Sequence, residues 1–189
     1  MNDQIFETVV TTVSPDGRPH VAPMGVRYRG TLVVLMPFKP SATLSNILAG
    51  GHAVLNVVTD TRVFAGCVTG RRDWPLLPAE HVPGVRLAAA LSHLELNLVE
   101  HDDDAQRPVL RLACVHEAQH GVFRGLNRAQ AAVVEGAVLV SRLAMLPPEK
   151  VDAEMRYLQI AIDKTAGPEE HEAWGWLRAA VATHRASTW

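Results

Sequence analysis

An antiparallel β structure followed by a helical C-terminal third is the fold class that this 189-residue sequence predicts, and three observations predict it. Short β-branched or alternating segments run from residue 5 to about residue 120, and turn residues punctuate them. Beyond Gly125 the composition shifts towards Ala, Glu and Leu at helical spacing. A chain of this length supports one substantial core, or a core with a smaller appendage.

The first element is Thr8-Val9-Val10-Thr11-Thr12-Val13, β-branched throughout. It meets Ser14-Pro15-Asp16-Gly17, where proline presets φ and glycine supplies a positive φ, so a hairpin is expected. The returning strand, residues 20–28, turns at Arg29-Gly30 into Thr31-Leu32-Val33-Val34-Leu35-Met36, apolar enough for a barrel wall. After Pro37 the period changes: Leu44, Ile47 and Leu48 fall at i, i+3 and i+4 behind Ser41 as N-cap, which predicts a short helix ending at Gly50-Gly51. Residues 53–59 resume β.

A less regular stretch carrying Pro75, Pro78 and Pro83 leads to two long strands near residues 90–101 and 108–116. Asp102-Asp103-Asp104 between them reads as a solvated hairpin tip, since the glycine and later glutamate of a calcium loop are missing. Asn127 can cap a helix over residues 128–146, which Pro147-Pro148 stops before a second begins. In that second helix Val151, Met155, Leu158 and Ile162 step by helical intervals to Gly167-Pro168, and Trp174, Leu177 and Val181 form the apolar stripe of a third. The division expected is therefore residues 1–125 for the β domain and 126–189 for a helical subdomain.

Composition excludes several classes of function. With 48% hydrophobic and 20% charged residues the chain is globular, and a formal charge of −2 offers no basic face for nucleic acid. Cys67 and Cys114 stand far apart without metal-ligand spacing, which points to a reducing cytoplasm. Glu7, Pro15, Asp16 and Pro19 interrupt the region where a signal peptide would lie, and no apolar run reaches the roughly 20 residues of a membrane span.

Lys39-Pro40-Ser41-Ala42-Thr43 combines a cation, two hydroxyls and a helix start, the set with which proteins hold a phosphate dianion. The same residues also suit a plain helix cap with a surface lysine. Asn56, flanked by apolar residues in a strand, is a buried amide that must bond either backbone or ligand.

In order along the chain, Ser14-Pro15-Asp16-Gly17, Ala22-Pro23-Met24-Gly25-Val26, the Lys39–Ile47 motif and Ala53-Val54-Leu55-Asn56-Val57-Val58 resemble the FMN-binding split barrels related to flavin reductases. Asn127-Arg128-Ala129, Glu135 and Ser141-Arg142 are similar to the helical extension of one such family, found in archaea and methylotrophic bacteria. The resemblance implies an antiparallel split β-barrel with a C-terminal helical subdomain, in a homodimer with FMN at the two-fold interface. It implies phosphate contacts from Lys39, Ser41, Thr43 and Asn46, with Met24, Gly25, Val26, Asn56, Val57 and Thr59 along the ribityl chain and ring. Asn127 and Arg128, with Trp74, Trp174 and Trp176, are candidates for the enclosing wall, or else core residues. Gly25 would let backbone approach a flat ring closely. Lys39 and Thr43 are expected outside the core. The implied activity is a flavin-dependent oxidoreductase, with one-carbon metabolism as its context, against a flavin-binding module without turnover; no residue stands out as acid or base.

His116-Glu117-Ala118-Gln119-His120 matches the H-E-x-x-H zinc motif, which would make a hydrolase. That chemistry requires a helix, because one turn brings i and i+4 within about 6 Å, whereas a strand holds them roughly 13 Å apart. The preceding Val109, Leu110, Leu112, Cys114 and Val115 read as strand, so no metal site is expected from this motif.

Overall fold

The computed structural model describes residues 4–187. It divides into two compact units, one formed by the residues up to Val58 with Trp74–Val122, the other by Thr59–Asp73 with the residues from Phe123 onwards. The helical unit thus takes in a segment from the middle of the chain as well as the C-terminal third.

The first unit is a closed barrel of six antiparallel strands in the order β1-β2-β3-β8-β7-β4. Its strands are β1 (Phe6–Val13), β2 (Pro19–Arg29), β3 (Leu32–Leu35), β4 (His52–Val57), β7 (Ser92–Asp102) and β8 (Val109–Gln119), with β5 (Leu76–Pro78) and β6 (Val85–Leu87) as a separate hairpin. The turns form where expected: Gly17 and Gly30 adopt φ of 80° and 61°, a region glycine enters without penalty. Val10, Val26, Leu35, Leu55, Leu96 and Leu110 point inwards as the period of two requires. Helix α1 (Ala42–Gly50) closes the barrel by adding Leu44 and Ile47 to that core, and Gly51 ends it in the left-handed conformation at φ 75°.

The β5–β6 hairpin packs against β1 and β4 on the outer side of the wall. Side-chain to backbone bonds hold it there: Leu87 N–H donates to Asn56 Oδ1 at 2.8 Å, and the Thr11 hydroxyl donates to the Val85 carbonyl. The proline-rich stretch that looked irregular in sequence is therefore an ordered cover. Strand β4 stops at Val57 instead of reaching Thr59, and β8 continues through His116 to Gln119.

Where β7 pairs β8, Leu96 faces Cys114 but the preceding Glu95 faces His116, so Val115 is an extra residue on β8. Such a bulge reverses the in-out phase of everything after it. His116 and the alternate residues beyond it consequently share the outer face with Glu95 and His93.

The second unit comprises α2 (Arg62–Val68), α3 (Arg128–Val140), α4 (Pro148–Thr165) and α5 (Pro168–Ala186). On α3, Ala129, Ala132, Val133, Gly136, Ala137 and Val140 are buried, a stripe at helical spacing. Trp174 and Leu177 of α5 pack on Gly136, where a Cβ would lie 2.7 Å from Trp174 Cζ3. Helix α3 is shorter than the sequence pattern predicts, giving way to turns from Ser141 onwards. No helix among the described residues is long and apolar enough to cross a membrane.

Candidate functional site

The junction between β3 and α1 carries the geometry of an anion site. Ser41 has extended backbone (φ −144°, ψ 124°) and its hydroxyl oxygen accepts the Leu44 N–H at 3.2 Å, while Ser45 N–H returns to the Ser41 carbonyl at 3.1 Å. The first four amides of a helix lack intrahelical partners. The Ser41 hydroxyl serves that of Leu44 but not those of Ala42 and Thr43, which lie at the positive end of the helix dipole.

Two cations flank this junction. Lys39 is exposed, and its ammonium meets Asp103 Oδ1 at 2.5 Å; that partner holds the Asp103 carboxyl below the usual carboxylate range. Arg107 donates from Nε to the Met36 carbonyl at 3.2 Å and lays its guanidinium over the Phe38 ring at 4.6 Å. The Asp102-Asp103-Asp104 tip is thus built into the junction, since Asp104 also accepts the amides of Gln106 (2.9 Å) and Arg107 (2.6 Å). Arg107 escapes notice in the sequence because only the pairing of β3 with β8, Leu35 opposite Leu110, brings its loop here.

Four residues expected to touch a ligand turn inwards. Thr43 is 1% exposed and belongs to the core, contrary to the expectation that it lies outside, because the second residue of α1 faces the barrel end that the helix seals. Asn46 is buried and donates to Thr12 Oγ1 at 2.9 Å. Val26 sits inside the barrel. Asn56 is fully buried, and of its two alternatives the structure shows backbone bonding: Nδ2 donates towards the Val9 carbonyl (3.1 Å), Thr11 Oγ1 (3.2 Å) and the Val54 carbonyl (3.3 Å), and Oδ1 accepts Leu87 N–H. Met24, on the same strand face as Val26, packs partly buried against the barrel core, Gly25 is half-buried on the opposite face of β2, and Val57 is exposed. A Cβ on Gly25 would lie 2.8 Å from Cγ2 of the exposed Ile5, so an intramolecular neighbour as well as a ligand accounts for a small residue there.

Thr59, Asn127 and Arg128 belong to the second unit. Asn127 caps α3 by accepting the amides of Ala129 (2.7 Å) and Gln130 (3.3 Å), and donates to the Thr165 carbonyl at 3.0 Å. Arg128 is exposed and lines, with Glu135, Ala131 and Tyr157, a groove of about 270 Å³ between α3 and α4. Trp174 is core, with Nε1 donating to Gln159 at 2.7 Å, and Arg71 stacks over Trp176 at 4.0 Å. Trp74 is half-buried in the first unit.

Four of the five H-E-x-x-H residues, His116 to Gln119, lie on strand β8 with His120 just past its end, so the two histidines are separated by extended chain and Glu117 points to the opposite side from His116. The helical zinc geometry is absent from this segment. His93, opposite Ala118, stands between the two histidines and contacts both rings.

A family model described as the N-terminal domain of a protein of unknown function, DUF447, matches residues 6–121, and the companion C-terminal model matches residues 127–179. An uncharacterized protein of Methanocaldococcus jannaschii, MJ1453, is 27% identical over 147 residues, covering 74% of this chain and 75% of its own. Among solved structures, the FMN-bound DUF447-family protein MM1853 of Methanosarcina mazei superposes with a TM-score of 0.81 at 21% identity, over 95% of this chain and 96% of that one. A protein of Shewanella frigidimarina, described as a flavin reductase with a split barrel domain, superposes with a TM-score of 0.54 at 15% identity, over 60% of this chain and 66% of that one. The barrel shares the split-barrel fold of these structures.

Proposed function

We propose that this chain, which belongs to the DUF447 family, binds FMN non-covalently at the β3–α1 junction and serves a flavin-dependent oxidoreduction. The observation that carries the proposal is the start of α1, capped by Ser41, with the Lys39 cation two residues before it and Arg107 held against the adjoining Met36 and Phe38. A phosphate dianion fits that set: the amides and helix dipole bind it directionally, and the cations neutralise it. The FMN-bound state of the Methanosarcina mazei relative supports the choice of ligand. Lys39 would exchange Asp103 for the phosphate, a trade between two anions on an exposed side chain.

Flavin, when bound, supplies the hydride and electron chemistry. The protein contributes position and charge: β2 presents Gly25, and β4 presents Val57 at its exposed end. Exposed apolar side chains on the barrel, among them Phe6, Tyr28, Phe38, Val99 and Val115, favour a homodimer in which a partner covers them. Cys67 and Cys114 form no disulfide, which accords with a cytoplasmic setting.

The test is optical. Purified protein should carry the visible absorption of bound flavin, and Lys39→Ala with Arg107→Ala should weaken FMN binding without altering the circular dichroism spectrum. Undiminished affinity in that double variant would remove the phosphate assignment. Bleaching by NAD(P)H supports the oxidoreductase; a yellow protein that no pyridine nucleotide or other reductant cofactor bleaches is a flavin-binding module.

A further inference from the structure

On the outer wall of the barrel, away from the β3–α1 junction in sequence, four imidazoles and two carboxylates gather. His93 and Glu95 project from β7, His116 from β8, His120 from the residue that follows β8, and Glu80 and His81 from the loop between β5 and β6. The rings touch in series: His81 stacks on His116 at 4.2 Å between centroids, His116 meets His93 edge-on at 5.8 Å, and His93 stacks on His120 at 5.0 Å. The β8 bulge at Val115 is what turns His116 towards this cluster.

The inner part of the cluster is satisfied. Glu95 is fully buried and accepts the amides of Glu80 (2.7 Å), His81 (2.6 Å) and Val82 (2.7 Å) as well as His93 Nε2 (3.1 Å). Those four donors use the lone pairs of both oxygens. A neutral His93 that donates from Nε2 must accept at Nδ1, and His120 Nε2 lies there at 2.8 Å. The outer part is not satisfied: His116 Nε2 is buried without a hydrogen-bond partner. A buried ring nitrogen in that condition costs free energy unless something occupies its lone pair.

We infer that Glu80, His81 and His116 form a binding site for one divalent transition-metal ion of the zinc class, held in place by Glu95. One ligand atom from each of the three lies within 4.8 Å of the others. A metal at about 2.1 Å from each would draw them to roughly 3.4 Å apart, which the exposed side chains of Glu80 and His81 reach by rotation. Two imidazoles and a carboxylate are a donor set of borderline softness that leaves an open coordination position. A second triplet, His93, Glu95 and His116, is equally close, but its carboxylate is already committed to three amides and an imidazole. Glu95 therefore acts as a positioning residue: by gripping the amides of Glu80 and His81 it fixes the backbone of two of the three ligands.

The experiment is zinc binding by the full chain after chelator treatment, read by calorimetry, with Co²⁺ absorption as a second readout of the ligand sphere. The wild-type chain should take up one equivalent of Zn²⁺. His81→Ala, Glu80→Gln and His116→Ala should each weaken binding by at least about tenfold, the range in which even outer ligands act, and His171→Ala on α5 should not. Glu80 and His81 are exposed, so their variants keep the fold and make the test independent of His116. A wild-type chain that binds no stoichiometric Zn²⁺, or Glu80 and His81 variants that bind as it does, overturns the site.

Discussion

Glu95 Oε2 accepts the backbone N–H of His81 at 2.6 Å, a bond between a buried strand carboxylate and a loop with no regular structure of its own. Burial alone would raise the Glu95 pKa, but three backbone amides and His93 outweigh it and bring the value down to about 2. A carboxyl so depressed stabilises the fold above its unfolded value near 4.5, and that contribution fades as pH falls towards 2. Its size is roughly 3 kcal/mol. Urea unfolding between about pH 5 and pH 2 should show wild-type stability falling by that order, with a flatter profile in Glu95→Gln. At neutral pH Glu95→Gln sets an amide donor against amide donors and should cost about 2–4 kcal/mol.

Asn56 makes the corresponding anchor for β6. Asn56→Ala leaves the Leu87 N–H without its acceptor in the interior, and should lower stability by about 2–4 kcal/mol, measured by urea midpoint. Asn56→Asp should be worse at neutral pH than in mild acid, since an ionised carboxylate would face the Val9 and Val54 carbonyls that now receive the amide protons.

What could be read from sequence follows from how local each signal is. Turn glycines, the Ser41 cap and the period-two core of the barrel are written within a few neighbouring residues, and they appear where the pattern puts them. The chemistry of the outer wall depends on a single unpaired residue. Alternation through Leu110, Leu112 and Cys114 carries His116 to the inner face, and only the bulge at Val115 sends it outwards to Glu95. Neither Val115 nor its neighbours announce that insertion. Arg107 and the cover formed by β5 and β6 are hidden for a related reason, since the first is placed by the pairing of β3 with β8 and the second by bonds from Asn56 and Thr11, all distant in sequence. The inward turn of Thr43 is a matter of which helix face seals the barrel, and a nine-residue helix with buried Thr43, Leu44, Asn46 and Ile47 has too few turns for the polar members to betray their side.

In the helical unit the contact between Gly136 and Trp174 sets the approach of α3 to α5. An alanine there would gain helix propensity, about 1 kcal/mol, yet its Cβ would stand 2.7 Å from Trp174 Cζ3 and 3.0 Å from Leu177 Cδ1. Both neighbours are buried, so they have little room to yield. Overpacking of this kind costs about 1–3 kcal/mol, and Gly136→Ala should lower the midpoint of thermal unfolding instead of raising it.

Gly25 separates packing from ligand approach. Its missing Cβ is matched by Ile5 Cγ2, but Ile5 is 46% exposed and can rotate out, so Gly25→Ala should change stability by less than about 1 kcal/mol. If the flavin ring lies along β2 as proposed, the added methyl also intrudes on the ligand, and an affinity loss of several-fold should accompany an almost unchanged melting temperature. A variant in which Ile5 is shortened as well, Ile5→Ala with Gly25→Ala, removes the clash within the chain while keeping the methyl. FMN affinity restored by that second change would show that the glycine serves the packing of Ile5 alone; affinity that stays low places the ring against the backbone of β2.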